Sequence, residues 1–382
     1  MSLYTYSFQN KKRDLSDILS TVIKDEPRFI SNFKPAENAL AQKHEWLEEQ
    51  LTGRSVTTTA VATLVCSASA SDLAKLRVGT LLVIKDDPAL FRVTAISSST
   101  FTVALVSSNG SSTTTPAKDN VLNIVSTPMP EGSINGDGEE NYLQSAVNYN
   151  CTQIFRKDIV LSGSAMAINL YGNIDNQLNR QTAFALSELA RDLNRVALFG
   201  RRIEGTSSSR GEAGGLYNFG TQSGALVIDG STAAIDSMLI NDAAQAILGE
   251  GGNPTQILCS PGQARVLSNE YKNNLQIVRS DDQRGAYVAV IVNEINGRAM
   301  TIMADPDMPD GDVWVLDVNG MGLSSLKGRA ISDEDATPKG FDGIKRMALG
   351  ELTFEFKNAN QRFCRIKNLK SSTAALAALR NV

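Results

Sequence analysis

KHEWLEEQL (residues 43–51) closes a charged N-terminal stretch with helical character, and NYNCTQIFRKDIVLSG (148–163) opens an extended one. Between them the composition changes to Thr, Ser, Ala and Val. TTTAVATLVCS (57–67), GTLLVIKD (79–86), LFRVTAIS (90–97), TFTVALVSS (100–108) and NVLNIVS (120–126) are β-rich runs separated by turn-forming stretches such as SASASD and SNGSSTTTPAKD. Phe91, Val93 and Ala95 alternate with polar residues, as do Phe101, Val103 and Leu105, so each strand has a buried and a wet face. The spacing predicts a small antiparallel barrel or sandwich with borders near 53 and 138, closed by the Pro- and Gly-rich acidic exit PMPEGSINGDGEE (128–140). The module reads as an insertion into a chain whose flanks belong together.

On the N-terminal side, residues 1–13 read as a polar, basic arm. Asp14 is placed to cap a short helix with Leu15, Ile18, Leu19, Val22 and Ile23 on one face, ended by Pro27. Phe29, Ile30 and Phe33 follow with little periodicity, which suits an arm that packs onto something else. On the C-terminal side, residues 141–172 read as extended. Asn173 or Asp175 then caps a long amphipathic helix whose stripe runs through Leu178, Ala185, Leu186, Leu189, Leu193 and Ala197 and stops at Gly200. An α/β unit comes next: a helix from Ser231 or Thr232 to Gly249, carrying Ile235 and Met238 on its apolar side, and the strand TQILCS. A helix capped by Ser260 with Pro261 at its first position follows. AYVAVIV and RAMTIMAD form a hairpin through Asn296-Gly297, DVWVLDV and MGLSSLKG continue the sheet, and SDEDATPKG (332–340) is an acidic loop. Two long strands and a short AALAALR tail end the chain. There is no internal repeat.

With 382 residues the chain has room for two or three domains. Lys plus Arg (37) against Asp plus Glu (41) leaves a net charge of −4, so no cationic field gathers nucleic acid, and only weak, non-specific contact with DNA is expected. The four cysteines stand far apart in strand-like runs, as buried free thiols do in a reducing compartment, with no CxxC pair for a metal. The N-terminus has no apolar signal core, and no apolar run is long enough to span a membrane, so synthesis in the cytoplasm is expected.

Catalytic chemistry finds no foothold. The only histidine, His44, has no nucleophile motif around it and reads as packed or hydrogen-bonded beside Trp46. GTSSSRGEAGG (205–215) lacks the GK[ST] of a phosphate loop and follows a helix, whereas a phosphate loop precedes one. DPDMPDGD (305–312) alternates carboxylates, but Pro309 stands at the third ligand position of the calcium-loop pattern, so a turn is expected. No catalytic residue, cofactor or metal ligand is assigned. Lys11-Lys12-Arg13 and Arg201-Arg202 read as solvated surface or as halves of intersubunit ion pairs.

NKKRDLSDILSTVIKDEPRFISNF (10–33) running into KHEWLEEQL resembles the N-terminal signature of tailed-bacteriophage major capsid proteins of the Hong Kong 97 fold. YNCTQIFRKDIVLSG (149–163) resembles their N-TQIF-K-D-SG strand, the spine-helix and GR segments (180–205) follow in order, and FDGIKRMALGELTFEFKNANQRFCRIKNL (341–369) is similar to their closing strand pair. The resemblance implies an α+β fold with an N-terminal arm (1–42) and E-loop strands (43–52 and 141–170). An all-β barrel-like insertion (53–138) would sit at the E-loop tip. A P domain with a long spine helix (171–220 and 331–382) and an A domain (221–330) complete the scheme.

The implied function is a major capsid protein that self-assembles into hexamers and pentamers of an icosahedral head enclosing double-stranded DNA. The implied partners are other copies of the chain, a separate scaffolding protein, since too few residues precede DLSD for a fused one, and a portal; decoration proteins stay open. Heterologous contacts close such a shell, and the family-like segments that must meet a neighbour single out Arg13, Trp46, Glu48, Arg156, Lys157 and Arg202. Where the prototype has a Lys-to-Asn crosslink at the E-loop tip, this chain has a whole module, so no covalent crosslink is expected. Alternatives are an encapsulin-like nanocompartment, which shares the fold, and a β-rich tail or adhesin protein, which leaves the amphipathic spine unexplained.

Overall fold

The chain is described by a computed structural model over residues 27–49, 53–129, 131–132, 145–168, 177–270 and 290–380. The expected Asp14-capped helix, Arg13 and the Asn173 or Asp175 cap lie outside those residues. Contacts divide the chain into two compact units, residues 1–46 with 147–382 and residues 47–146. The first begins with a 3-10 turn at Phe29–Asn32, a two-residue strand β1 (Lys34–Pro35) and β2 (Lys43–Glu48). Here the expectation of an arm reserved for a neighbour is corrected. Phe29 and Phe33 are buried in this chain's own core, Phe29 edge-on to Phe33 and Phe33 against Phe354 and Phe356, because aromatic rings in tilted or edge-on contact bury more surface together than rings left in solvent.

Among its described residues the unit of residues 47–146 forms a seven-stranded sheet: β3 (Ser55–Thr57), β4 (Ala60–Ala62), β5 (Val65–Ser67), β6 (Leu81–Ile84), β7 (Asp87–Ile96), β8 (Thr100–Ser107) and β9 (Val121–Ser126). A single helical turn, α1 (Ala70–Leu73), is capped by Ser69. All ladders are antiparallel, in the order β3-β9-β6-β7-β8-β5-β4. The run 57–67, read as one strand, is broken because Thr63 sits in the left-handed region (φ 60°) and folds it into the β4–β5 hairpin. β3 and β4 stand at opposite ends of the order yet are joined by Thr58 and Thr59 alone. A span that short reaches only about 10 Å, so the sheet curls, and among the described residues no ladder joins β3 to β4. Its concave side holds Val56, Cys66, Leu82, Phe91, Val93, Phe101, Val103 and Leu122.

The other unit resumes with β10 (Ala146–Cys151), which pairs with β2 as a two-stranded ribbon, then β11 (Gln153–Ser162), a helical turn α2 (Gly163–Ala167) where extended chain was expected, and the spine helix α3 (Gln177–Phe199). At 23 residues the spine is about 35 Å long. A short turn α4 (Leu216–Phe219) leads to β12 (Leu226–Asp229), α5 (Ser237–Gly249), β13 (Gln256–Cys259), α6 (Pro261–Glu270), β14 (Val290–Val292), β15 (Ala299–Ala304) and β16 (Val313–Leu316). The chain finishes with β17 (Met321–Ser325), β18 (Ser332–Asp335), β19 (Gly343–Phe356), a turn α7 (Ala359–Arg362), β20 (Phe363–Lys367) and α8 (Ser372–Arg380).

Two sheets result. A mixed sheet runs β12-β20-β16-β13-β15-β14, and α5 and α6 supply apolar side chains to its core. The second runs β1-β17-β19-β11, with β18 also on β19. The structure corrects five readings here. Asp236, not Ser231 or Thr232, caps α5: its Oδ1 accepts the Leu239 N–H at 2.8 Å, while Ser231 and Thr232 occupy left-handed turn positions. Met238, expected on the apolar stripe, is 72% exposed. MGLSSLKG leaves the first sheet for the second, because the 3-10 turn Val318–Gly320 redirects it. Part of the acidic SDEDATPKG loop is the strand β18, and the two C-terminal strands separate into different sheets at Asn358 (φ 52°).

Candidate assembly surfaces

The ribbon of β2 and β10 is rooted by the sequence motif that announced it. In β19, GELTFEF places Leu352, Phe354 and Phe356 in the aromatic core and Glu351, Thr353 and Glu355 on the opposite face, which is also buried. Buried carboxylates require partners, and the root supplies them. Glu351 accepts the Thr152 hydroxyl at 2.7 Å and pairs with Arg329 at 3.1 Å. Glu355 meets His44 Nε2 at 2.6 Å and Lys357 at 2.8 Å. Burial alone would raise the Glu355 pKa, but the hydrogen bonds from His44 and Lys357 outweigh it and hold the carboxyl below its ordinary range. His44 is therefore a hydrogen-bonded strut beside Trp46, at 6.1 Å between ring centroids. Lys34, His44, Trp46, Asn319, Glu355 and Lys357 line a cleft of about 440 Å³ there.

Asn150 is the tightest stitch. Its amide donates to the Gly214 and Phe354 carbonyls at 3.0 and 2.8 Å, and its Oδ1 accepts the N–H groups of Gly214 and Cys151 at 2.7 and 2.9 Å. One buried side chain thus satisfies main-chain groups of three separate segments. Gln153 adds an acceptor for the Ala213 N–H at 3.1 Å. Arg202 reaches into the same place, donating to the Tyr149 carbonyl at 2.8 Å and lying 4.0 Å over the Tyr149 ring.

The acidic stretch DPDMPDGD, expected as a plain turn, is a junction. Asp305, fully buried, accepts the Phe29 N–H at 2.9 Å and the Asn194 amide at 3.1 Å, and Asn194 in turn accepts the Ile30 N–H. Asp307 pairs with Arg195 of the spine at 2.8 Å. Asp310 accepts the Ser260 hydroxyl and the Ser372 N–H; burial works against its charged form, yet those bonds hold it below the ordinary range. Asp312 takes Tyr217 and Arg365, both at 2.7 Å. Spacing alone offered no sign of this role, because every partner is far away in sequence.

Of the six residues singled out for contacts, the five that are described separate by position. Trp46 is buried in the main core, and Arg202 is engaged at the root. Lys157 reaches Asp192 of α3 at 2.5 Å. Arg156 lies on the outward face of β11 with Asp158, its partner at 2.7 Å, between Ile154 and Val160, which are 55% and 56% exposed. That face combines two exposed aliphatic residues with a solvent-facing ion pair. Glu48 is half-buried near the end of β2. All four cysteines are buried free thiols, and burial pushes Cys259 and Cys364 up to about 12.

The architecture of two sheets, a long helix and a paired ribbon matches phage capsid structures of the Hong Kong 97 fold. The cyanophage A-1(L) capsid asymmetric unit is similar at a TM-score of 0.57 and 12% identity, covering 96% of this chain and 98% of that one. The capsid of an empty GTA particle (TM-score 0.54, 8% identity, 96% and 98%) and Microbacterium phage Oxtober96 (0.52, 10%, 94% and 95%) are similar over comparable spans. The family model for the SU10 major capsid protein matches residues 2–370, and the chain belongs to that family. It is a bacteriophage major capsid protein, a structural component of the virion that assembles into the shell. No curated protein matches it.

Proposed function

We propose that the chain forms the hexamers and pentamers of an icosahedral head around double-stranded DNA, and that the unit of residues 47–146 serves as a non-covalent staple between subunits. The observation that carries this reading is the root. A ribbon clamped by Asn150, Thr152, His44 and Arg202 gives a stiff base to an excursion that leaves the chain's own core at Trp46 and returns at Val147. In the family's terms, 1–42 is the arm, 43–52 and 141–170 the E-loop strands, 53–138 the insertion at its tip, 171–220 with 331–382 the P domain and 221–330 the A domain. Arg13, Glu48, Arg156 and Lys157 meet neighbours directly. Trp46 and Arg202 act there by holding the ribbon in place.

The role is structural rather than enzymatic. The chain is made and assembled in the host cytoplasm with a separate scaffolding protein and a portal, with or without decoration proteins, and the net charge of −4 keeps its hold on packaged DNA weak. Negative-stain microscopy of the purified chain tests the assembly, with closed shells expected and small uniform compartments or free oligomers counting against it. Replacing residues 54–137 by a short linker tests the staple. Shells should still form but break at lower temperature or pressure; unchanged tolerance refutes the staple, and a ladder of multimers on a denaturing gel refutes its non-covalent character.

A further inference from the structure

Strand β6 is apolar on both of its faces. Leu82 and Ile84 point into the core of the curled sheet, at 0% and 6% exposure. Leu81 and Val83 therefore point the other way and are half-buried. The ladders extend this outer face. Val83 stands opposite Leu90 on β7 and Asn123 on β9, Leu81 stands opposite Arg92 and Ser126, Arg92 stands opposite Ala104 on β8, and Val121 lies on the same side of β9. Of these eight side chains five are apolar and only Arg92 can carry a charge. An antiparallel sheet with one face in water alternates apolar with polar residues, whereas continuous apolar runs belong to strands covered on both sides. LLVI (81–84) is such a run, in a unit otherwise rich in Ser and Thr.

We propose that this outer face docks against a second copy of the chain, and that the contact forms only within the shell. The proposal rests on the staple reading and names its surface. The partner is argued from what surrounds each subunit, which is other copies of the same chain, and from size. Four strands by about four residues give about 250 Å² per partner from strand spacing and rise. The total of about 500 Å² is well under the ~1,200 Å² of a stable interface. Free subunits therefore stay apart through this face, while neighbours tethered in a shell meet at an effective concentration high enough for a weak apolar contact to close. A face with one charge among eight side chains suits that task, since closing it strands almost no charged group away from water.

Hydroxyl-radical footprinting of the full chain before and after assembly, with no other virion protein present, reads the contact without any substitution. Labelling of Leu81, Val83 and Leu90 should fall several-fold on assembly. As a second arm, V83D should leave the melting of free subunits near that of the parent and lower the temperature at which shells come apart. Unchanged labelling on assembly overturns the proposal. So does protection that appears only when another virion protein is added, which would assign the face to a decoration protein. The 54–137 replacement separates this from the staple itself. Fragile shells with unchanged labelling mean that the insertion grips by a different surface, while protected side chains in shells that the replacement does not weaken refute the staple and leave the face.

Discussion

The root of the ribbon and the curled sheet of the insertion solve different problems with different materials. At the root, Asn150, Thr152, Glu351, Glu355, His44 and Arg202 are linked by directed hydrogen bonds and ion pairs of 2.6 to 3.1 Å. In the insertion, apolar side chains from Val56 to Leu122 fill the concave side. Polar bracing such as Asp87 to Ser111 and Thr113 stays near the rim. Hydrogen bonds fix direction, and apolar area supplies non-directional cohesion. The root thus fixes direction within its own unit, and the curled sheet coheres by apolar area.

That contrast can be broken at several points. Phe91→Ala should cost the insertion about 3–5 kcal/mol, because it empties the centre of a small core. Hydrogen exchange should show the loss across 55–126 and little change in β11 and β19; equal loosening of both would erase the distinction. Asn150→Ala should cost about 3 kcal/mol, since it strands buried main-chain groups of Gly214 and Phe354, and should lower subunit melting while leaving exchange in the insertion unchanged. Asp305→Ala, which frees the Phe29 N–H and the Asn194 amide, should cost about 2 kcal/mol and open the chain to trypsin at Arg28. If cleavage there is unchanged, the junction does not hold this segment.

Acid sharpens the comparison further. Glu355 and Asp310 are held below their ordinary range, so they bind protons more readily unfolded than folded. Their contribution is complete above the unfolded values, about 4 for carboxylates, and is lost as pH falls through the depressed folded ones. Melting temperature should hold from neutrality to that range and drop below it, with a smaller drop in Glu355→Gln. The smallest effect belongs to Arg156→Ala. Its ion pair with Asp158 faces solvent, so subunit melting should not change; weaker shells would then place Arg156 in a contact between copies.

The sequence disclosed what depends on local pattern. The alternation at Phe91 and Phe101, the Ser260-Pro261 helix start and the spine stripe from Leu189 to Ala197 all follow from periods and caps. It misled where a local signal had a rival nearby. Ser231 and Thr232 are good caps by type, but Asp236 stands closer to the first turn of the helix. It was silent where the partner is remote. Nothing in TQIF or in DPDMPDGD announces that Thr152 will meet Glu351 or that Asp305 will bind the Phe29 amide, because those distances exist only after folding. Aromatic residues near the N-terminus read as material for a neighbour when the subunit's own core claims Phe29 and Phe33.

The stitch at Asn150 also sets a clock. Every ladder of the curled sheet closes within residues 55–126, so that unit has all its strands soon after it leaves the ribosome. The root has to wait, since Asn150 needs Phe354, and Gln153 on β11 pairs with Leu352 on β19, some two hundred residues later. For most of its synthesis each chain carries a complete curled sheet while the root is still open. The root closes only after β19 has been made.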